Sequence, residues 1–136
     1  MVGIVSYGTY IPRYRIRLED IAHVWHKNPN EVVSALGLTQ KSVPALDEDA
    51  ATLAYEAGAQ ALASGALTPQ DIEVVFVGSE SHPYAVNPTA TIVGEFLGIG
   101  NSYLAADLQF ACKAATAGMQ AIAGLVASEQ VKYGMT

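Results

Sequence analysis

The sequence predicts an α/β fold built on a mostly parallel sheet, and three observations lead to that class. Short apolar runs typical of buried strands alternate along the chain with longer segments that carry helix start and stop signals. Strands separated by helices imply right-handed crossovers onto a parallel sheet. The 136 residues are 51% hydrophobic and only 15% charged, which is enough apolar material for a packed core.

The predicted elements follow one another without a repeat or a low-complexity linker. In chain order they are a strand over residues 2–11, helices over 18–25 and 30–36, an extended segment over 41–46, a helix over 47–64, a brief helix from 68, a strand over 74–78, a helix over 88–97, a strand over 102–106 and a long last helix from 112.

Local residue types justify the first half of this order. The opening run is rich in Val, Ile and Tyr and ends at Pro12, which indicates a buried first strand. An Asn30 cap begins the second short helix, and Gly37 supplies the left-handed position that ends it. Three acidic residues at 47–49 place negative charge beside the exposed N–H groups at the start of the next helix. Gly65 ends that helix.

The second half places two polar segments at strand ends. Residues 74–78 form a continuous apolar run that is typical of a strand buried on both faces. The loop over 79–87 leaves its carboxyl end, and the segment over 107–112 leaves the carboxyl end of the next strand. Ligands of open α/β sheets bind at these ends, so both segments are candidates for a site.

Charge and cysteine content exclude several classes of function. The net charge of −6 and a pI near 4.8 argue against a nucleic-acid surface. The longest apolar tract, residues 114–127, is shorter than the roughly 20 residues that cross a bilayer, so it is expected to be a core helix. The start does not resemble a secretory signal, and we expect a cytoplasmic protein in which the single Cys112 is a free thiol.

Cys112 is the first candidate for chemistry. It is predicted to open the last helix, where the positive end of the helix dipole, unpaired N–H groups and the neighbouring Lys113 favour the thiolate. A thiolate in this position is a nucleophile. The alternative is an inert buried cysteine, which is the commoner fate of a lone one.

Glu80 is the second candidate, because it stands just past a hydrophobic strand. Partial desolvation there would make it a general base, and the alternative is a solvated loop carboxylate. His82 could be a second proton carrier, although its spacing does not align it with the cysteine. His23 and His26 lack a third ligand, so no metal site is predicted.

Two segments of the chain closely resemble 3-hydroxy-3-methylglutaryl-CoA synthase of the archaeal type. They are residues 78–88, Gly-Ser-Glu-Ser-His-Pro-Tyr-Ala-Val-Asn-Pro, and residues 106–116, Ala-Asp-Leu-Gln-Phe-Ala-Cys-Lys-Ala-Ala-Thr. The resemblance begins with residues 1–15 and runs the whole length. It implies a thiolase-like fold with a buried central helix after the cysteine. Residues 1–136 would form an incomplete N-terminal half domain that ends before the strand expected after that helix.

The resemblance also implies an activity in the mevalonate route to isoprenoids. Cys112 would accept an acetyl group from acetyl-CoA, with its own backbone N–H holding the thioester oxygen, and Glu80 would remove a methyl proton so that the enolate attacks acetoacetyl-CoA. Asn28 and Pro29 match a turn that lies beside bound CoA, although some members have Asp where this chain has Asn28. A catalytic histidine and the second oxyanion donor belong to the later half of the family, and no cofactor is expected beyond the CoA substrates.

The same resemblance implies partner proteins. It implies a homodimer and, in archaeal relatives, a complex with acetoacetyl-CoA thiolase and a small bridging protein.

One alternative function is that of a type III ketoacyl synthase-like enzyme. Such an enzyme pairs its cysteine with His and Asn and forms its nucleophile by decarboxylation, so the presence of Glu80 argues against it. The other alternative is a non-catalytic half domain, in which a partner covers the exposed face of the Ala-rich helix.

Overall fold

A computed structural model describes every residue of the chain, 1–136. The chain divides into two compact units. The small unit is Ile11–Glu48, and the large unit combines Met1–Tyr10 with Asp49–Thr136. Each unit has its own secondary structure, and both polar segments that follow strands belong to the large one.

The small unit is a two-stranded antiparallel ribbon with two short helices. Its elements are β1 (Tyr14–Arg17), α1 (Leu18–Val24), α2 (Pro29–Leu36) and β2 (Gln40–Val43), with β1 paired to β2. The cap of α2 was predicted at Asn30 but lies at Asn28, whose side-chain oxygen accepts the Asn30 N–H at 3.0 Å. Pro29 explains the difference, because it occupies the first helical position, where a missing N–H costs nothing. Gly37 ends α2 in the left-handed conformation at φ 66°, as predicted.

The large unit contains a three-stranded parallel sheet and three helices. Its elements are α3 (Ala50–Ser64), β3 (Val74–Gly78), α4 (Thr89–Leu97), β4 (Leu104–Leu108), α5 (Ala114–Ala127) and β5 (Gly134–Met135). The strand order is β4-β3-β5, and both pairings are parallel. Single turns of 3₁₀ helix occur at Pro69–Asp71 and Ala111–Lys113.

The central strand β3 organises the core because both of its faces are buried. Val75 and Val77 belong to the cluster that contains Val93 of α4, whereas Val74 and Phe76 pack with Ile122 of α5. Alternate residues of a strand point to opposite faces, so helices cover both sides of this strand. Burying one such valine fully contributes about 1.5–3 kcal/mol. The predicted α/β class is therefore confirmed.

The strand predicted over residues 2–11 is wrong, because no strand forms there. Residues 2–10 are mostly exposed and contact α3 through a few hydrogen bonds. Ser64 Oγ donates to the Tyr7 carbonyl at 3.0 Å, and the Thr9 N–H donates to Gln60 Oε1 at 2.7 Å. A strand needs a neighbour for its backbone groups, and none of β3, β4 or β5 pairs with this segment.

Two further strand predictions also need correction. The strand predicted at 102–106 forms at Leu104–Leu108, because its register on β3 pairs Val74 with Leu104. The chain was expected to end before another strand, yet β5 (Gly134–Met135) pairs with the other edge of β3. The Glu73 N–H donates to the Tyr133 carbonyl at 3.0 Å and leads into that pairing.

Helix α5 follows the cysteine, as predicted, and is buried along one stripe. The buried positions are Ala114, Gly118 and Ile122, which recur every four residues and face the sheet. On another face, Ala115 is exposed and Met119 is 50% exposed. None of the helices in the chain combines the length and apolar character that crossing a bilayer requires.

Candidate functional site

The two polar segments leave the sheet side by side. In the parallel pairing of β3 with β4, Val77 lies opposite Asp107 and Gly78 opposite Leu108. The Ser79 N–H continues this ladder by donating to the Leu108 carbonyl at 3.1 Å. The loop over 79–87 starts at the carboxyl end of β3, as predicted, whereas the segment predicted over 107–112 begins inside β4, which includes Asp107 and Leu108.

Cys112 lies in the 3₁₀ turn Ala111–Lys113, one turn before α5 begins at Ala114. It was predicted to open the helix itself, and the difference arises at Ala111, which has a left-handed φ of 44°. A residue with this φ lies outside regular α geometry, and α5 starts only after the turn that contains it. The thiol is free and the residue is exposed, which does not fit the alternative of an inert buried cysteine.

The carboxylate of Glu80 reaches the residue next to the cysteine. Its Oε1 accepts the Ala111 N–H at 2.5 Å, although the two residues are 31 positions apart. A left-handed alanine costs roughly 1–3 kcal/mol. A hydrogen bond to a charged group contributes about 1.5–3 kcal/mol before solvent exposure reduces it. Glu80 therefore supports the strained turn that presents Cys112.

The desolvation predicted for Glu80 is not found in this structure, because the residue is exposed. Nearby apolar side chains are exposed as well: Phe110 is 58% exposed and Tyr84 is 60% exposed. A carboxylate loses its hydration only where neighbouring groups exclude water. These residues alone do not provide that exclusion.

In the Ala111–Lys113 turn, the backbone N–H of Cys112 is not used by the hydrogen bonds that close the turn. The Lys113 N–H donates to the Phe110 carbonyl at 2.9 Å, and the Ala114 N–H bonds to the Ala111 carbonyl. The Cys112 N–H takes no part in these bonds. An N–H on the nucleophilic residue itself is a common donor to the oxyanion that forms during acyl transfer.

His82 is buried and bonded within the large unit rather than exposed beside the cysteine. Its side chain is only 4% exposed, and its Nδ1 lies 2.8 Å from Thr89 Oγ1 and 3.3 Å from Asp107 Oδ2. Asp107 in turn accepts the Thr89 N–H at 2.7 Å and the Ala90 N–H at 2.9 Å, which caps the start of α4. Sequence reasoning missed this cluster. The available clue was an aspartate that directly follows the apolar residues of the predicted strand.

The remaining candidates lie in the small unit. Asn28 uses its amide locally: besides the cap, its Nδ2 donates to Glu31 Oε1 at 3.2 Å. Its predicted contact with CoA, like that of Pro29, stays a prediction. His23 and His26 belong to no group of three or more potential metal ligands, and no such group occurs in the chain.

The sequence of the chain is similar over its whole length to archaeal enzymes. The chain is 58% identical over 135 residues to the hydroxymethylglutaryl-CoA synthase of Archaeoglobus fulgidus, and 56% identical over 135 residues to that of Methanocaldococcus jannaschii. Each match covers 99% of this chain but only 39% of the relative's length. No protein-family model matches the chain. The resemblance predicted from the two motifs is confirmed.

Comparison of folds agrees with the predicted thiolase-like architecture. MvaS, solved in complex with 3-hydroxy-3-methylglutaryl coenzyme A, superposes with a TM-score of 0.82 at 27% identity, covering 94% of this chain and 31% of MvaS. A 3-oxoacyl-(acyl-carrier-protein) synthase III superposes with a TM-score of 0.81 at 22% identity, covering 94% of this chain and 38% of that protein. The second likeness supports the fold alone.

Proposed function

We propose that this chain is the part of a hydroxymethylglutaryl-CoA synthase that holds the acetyl group and starts the condensation. The identity of 58% to an archaeal enzyme of that name supports the assignment. The observation that carries it is the contact of the Glu80 carboxylate with the Ala111 N–H, which brings a proton acceptor to the residue beside Cys112. The chain spans 39% of that relative's length, so the rest of the reaction requires groups outside these residues.

The first step is transfer of the acetyl group to sulfur. The Cys112 thiolate attacks the carbonyl carbon of acetyl-CoA, a new C–S bond forms, and the bond to the CoA sulfur breaks so that CoA leaves as a thiolate. The negative oxygen of the intermediate lies where the Cys112 N–H can donate to it. Placing the nucleophile on a tight turn before α5 keeps both groups on one rigid element.

The second step forms the carbon nucleophile. Glu80 removes a proton from the methyl group of acetyl-Cys112, and the resulting enolate carbon forms a C–C bond to the ketone carbon of acetoacetyl-CoA, whose C=O becomes a C–O single bond as the oxygen takes up a proton. Water then hydrolyses the thioester, which frees the cysteine and releases the six-carbon product. Because the Glu80 carboxylate also accepts the Ala111 N–H, it is held at the residue that precedes the acetylated Cys112.

Several further assignments rest on the family resemblance. A histidine and a second oxyanion donor would complete the site from the part of the relatives that this chain does not span. Asn28 and Pro29 would lie beside the CoA. A homodimer, and a complex with acetoacetyl-CoA thiolase through a small bridging protein, are the proposed assemblies.

Acetylation of the cysteine is the direct test. After incubation of the protein with acetyl-CoA, mass spectrometry should find one acetyl group on the peptide that contains Cys112. The Cys112→Ala protein should carry none. Acetyl groups that appear equally on both proteins would show lysine modification and refute the assignment.

Replacement of Glu80 separates the two steps. The Glu80→Gln protein should still acetylate, but deuterium exchange at the methyl group of acetyl-Cys112 should fall by roughly 10²–10⁴-fold because the general base is lost. Glu56→Gln, which changes an exposed glutamate of α3, is the matched control and should retain activity. Efficient condensation with a malonyl thioester by the Glu80→Gln protein would instead favour the ketoacyl synthase alternative.

A further inference from the structure

The His82 side chain occupies an unusual position for a residue of an exposed loop. The residues on either side of it, Ser81 and Pro83, are exposed, yet the His82 side chain is only 4% exposed. Its Nε2 is the one buried side-chain nitrogen or oxygen in the chain without a hydrogen-bond partner. Burial of an unpaired polar atom is costly, so the imidazole is not an optimal choice for stability alone.

The Nδ1 atom of His82 joins three segments of the large unit. It lies 2.8 Å from Thr89 Oγ1 at the start of α4 and 3.3 Å from Asp107 Oδ2 on β4. Asp107 is itself fixed, because its two oxygens accept the N–H groups of Thr89 and Ala90. Thr89 is fully buried as well. The imidazole is therefore attached to a rigid part of the fold.

This attachment point is close along the sequence to both groups of the proposed site. His82 follows Glu80 by two residues in the same loop, and Asp107 precedes Cys112 by five. The other side-chain bonds in this stretch are local: the Ser81 N–H donates to Ser79 Oγ at 3.1 Å, and the two serine hydroxyls lie 3.3 Å apart. Beyond the backbone bond from the Ser79 N–H to the Leu108 carbonyl at the strand end, the hydrogen bonds that tie the loop to the rest of the large unit are those of His82 and Glu80.

We propose that His82 is a positioning residue whose Nδ1, held by Thr89 and Asp107, fixes the loop so that the Glu80 carboxylate stays on the Ala111 N–H beside Cys112. The catalytic consequence rests on the proposed function, whereas the positional claim does not. His82 need not touch substrate to act in this way. Its effect is transmitted through the two-residue connection to Glu80.

Amide NMR of the full chain tests the positional claim. An N–H bonded to a carboxylate changes its chemical shift when that carboxylate ionises, so the Ala111 amide should respond to the ionisation of Glu80. Glu80→Gln should abolish that response. His82→Leu removes the Nδ1 contact and should reduce the response by at least about half, whereas His82→Asn places an amide near the Nδ1 position and should keep it.

The result that overturns the proposal is an unchanged Ala111 response in folded His82→Leu protein. Equal losses in the Leu and Asn variants would also overturn it, because only bulk would then matter. If the Leu variant fails to fold, Thr89→Val gives the same test by removing a hydroxyl from a side chain of nearly the same shape. A smaller Ala111 response supports the proposal, and an unchanged one refutes it.

A second measurement follows the chemistry. In His82→Leu, deuterium exchange at the acetyl methyl group should fall by ~10²-fold or more because it uses Glu80 as the base, whereas acetylation of Cys112, which uses Glu80 only to support the turn, should fall by less than about tenfold. Equal losses in the two steps would indicate a merely structural role and would contradict the proposal. If wild-type protein is not acetylated at all, the proposed function fails, and the amide measurement still decides the role of His82.

Discussion

Replacing Gly78 with alanine should displace the start of α5, because the end of β3 and that helix meet with no room for a side chain. A Cβ added at Gly78 would lie 2.5 Å from Ala115 N, 2.7 Å from Ala114 C and 2.9 Å from Ala115 Cα. All three are backbone atoms at the amino end of α5, so a rotamer change cannot relieve the clash. The strand or the helix must move.

The magnitude follows from the cost of overpacking. Extra atoms forced into a well-packed interior cost about 1–3 kcal/mol. For a chain of this length, each kcal/mol lowers the melting temperature by roughly 4 °C. Gly78→Ala should therefore melt roughly 4–12 °C below wild type in a thermal unfolding experiment.

Gly124→Ala is a matched control on the same helix. No atom lies within 4 Å of a Cβ added at Gly124, and alanine is favoured over glycine inside a helix by about 0.5–1 kcal/mol. The same substitution should thus raise the melting temperature by roughly 2–4 °C. If Gly78→Ala melts at or above wild type while Gly124→Ala behaves as expected, the close approach at β3 is not as described, and the placement of Cys112 built on it is refuted.

Two further predictions concern local caps. Asp49→Ala should destabilise the large unit by about 0.5–2 kcal/mol in urea unfolding, because Asp49 caps α3 and its Oδ1 accepts the Thr52 N–H at 2.9 Å; an unchanged midpoint would contradict this. Hydrogen bonds from the Thr68 N–H and hydroxyl hold the pKa of Asp71 below its ordinary value of 3.8. The ionised Asp71 carboxylate therefore stabilises the fold above pH 3.8, and this stabilisation is lost as the pH falls through the lower pKa of the folded state. NMR titration should place the Asp71 midpoint below 3.8, and Thr68→Ala should raise it; a midpoint at 3.8 in both proteins would refute the cause.

Much of the large unit could be predicted because its elements have strong local patterns. Helix α3 ends at Ser64 before Gly65, and β3 covers Val74–Gly78, both at the predicted residues. An acidic cap, a terminating glycine and a continuous apolar run each act over a few residues. Long-range packing therefore does not need to be known to find them.

The failures occurred where a distant partner decides the conformation. Residues 2–11 have the composition of a strand, yet strand formation requires a neighbouring backbone, which composition cannot supply. The left-handed φ of Ala111 is equally invisible in the sequence, since alanine favours ordinary helix. Its conformation depends on Glu80, which lies 31 positions earlier.

The dual contact of Glu80 determines which variant can test its chemistry. The carboxylate is both the proposed base and the acceptor of the Ala111 N–H, so Glu80→Ala would remove the base and release the strained turn at once. Glutamine keeps an acceptor oxygen at the same reach but cannot take up a proton at neutral pH. Its neutral bond to Ala111 is weaker by about half. Acetylation of Cys112 should therefore survive in Glu80→Gln and fall in Glu80→Ala, and equal acetylation in both variants would mean that the turn does not need the carboxylate.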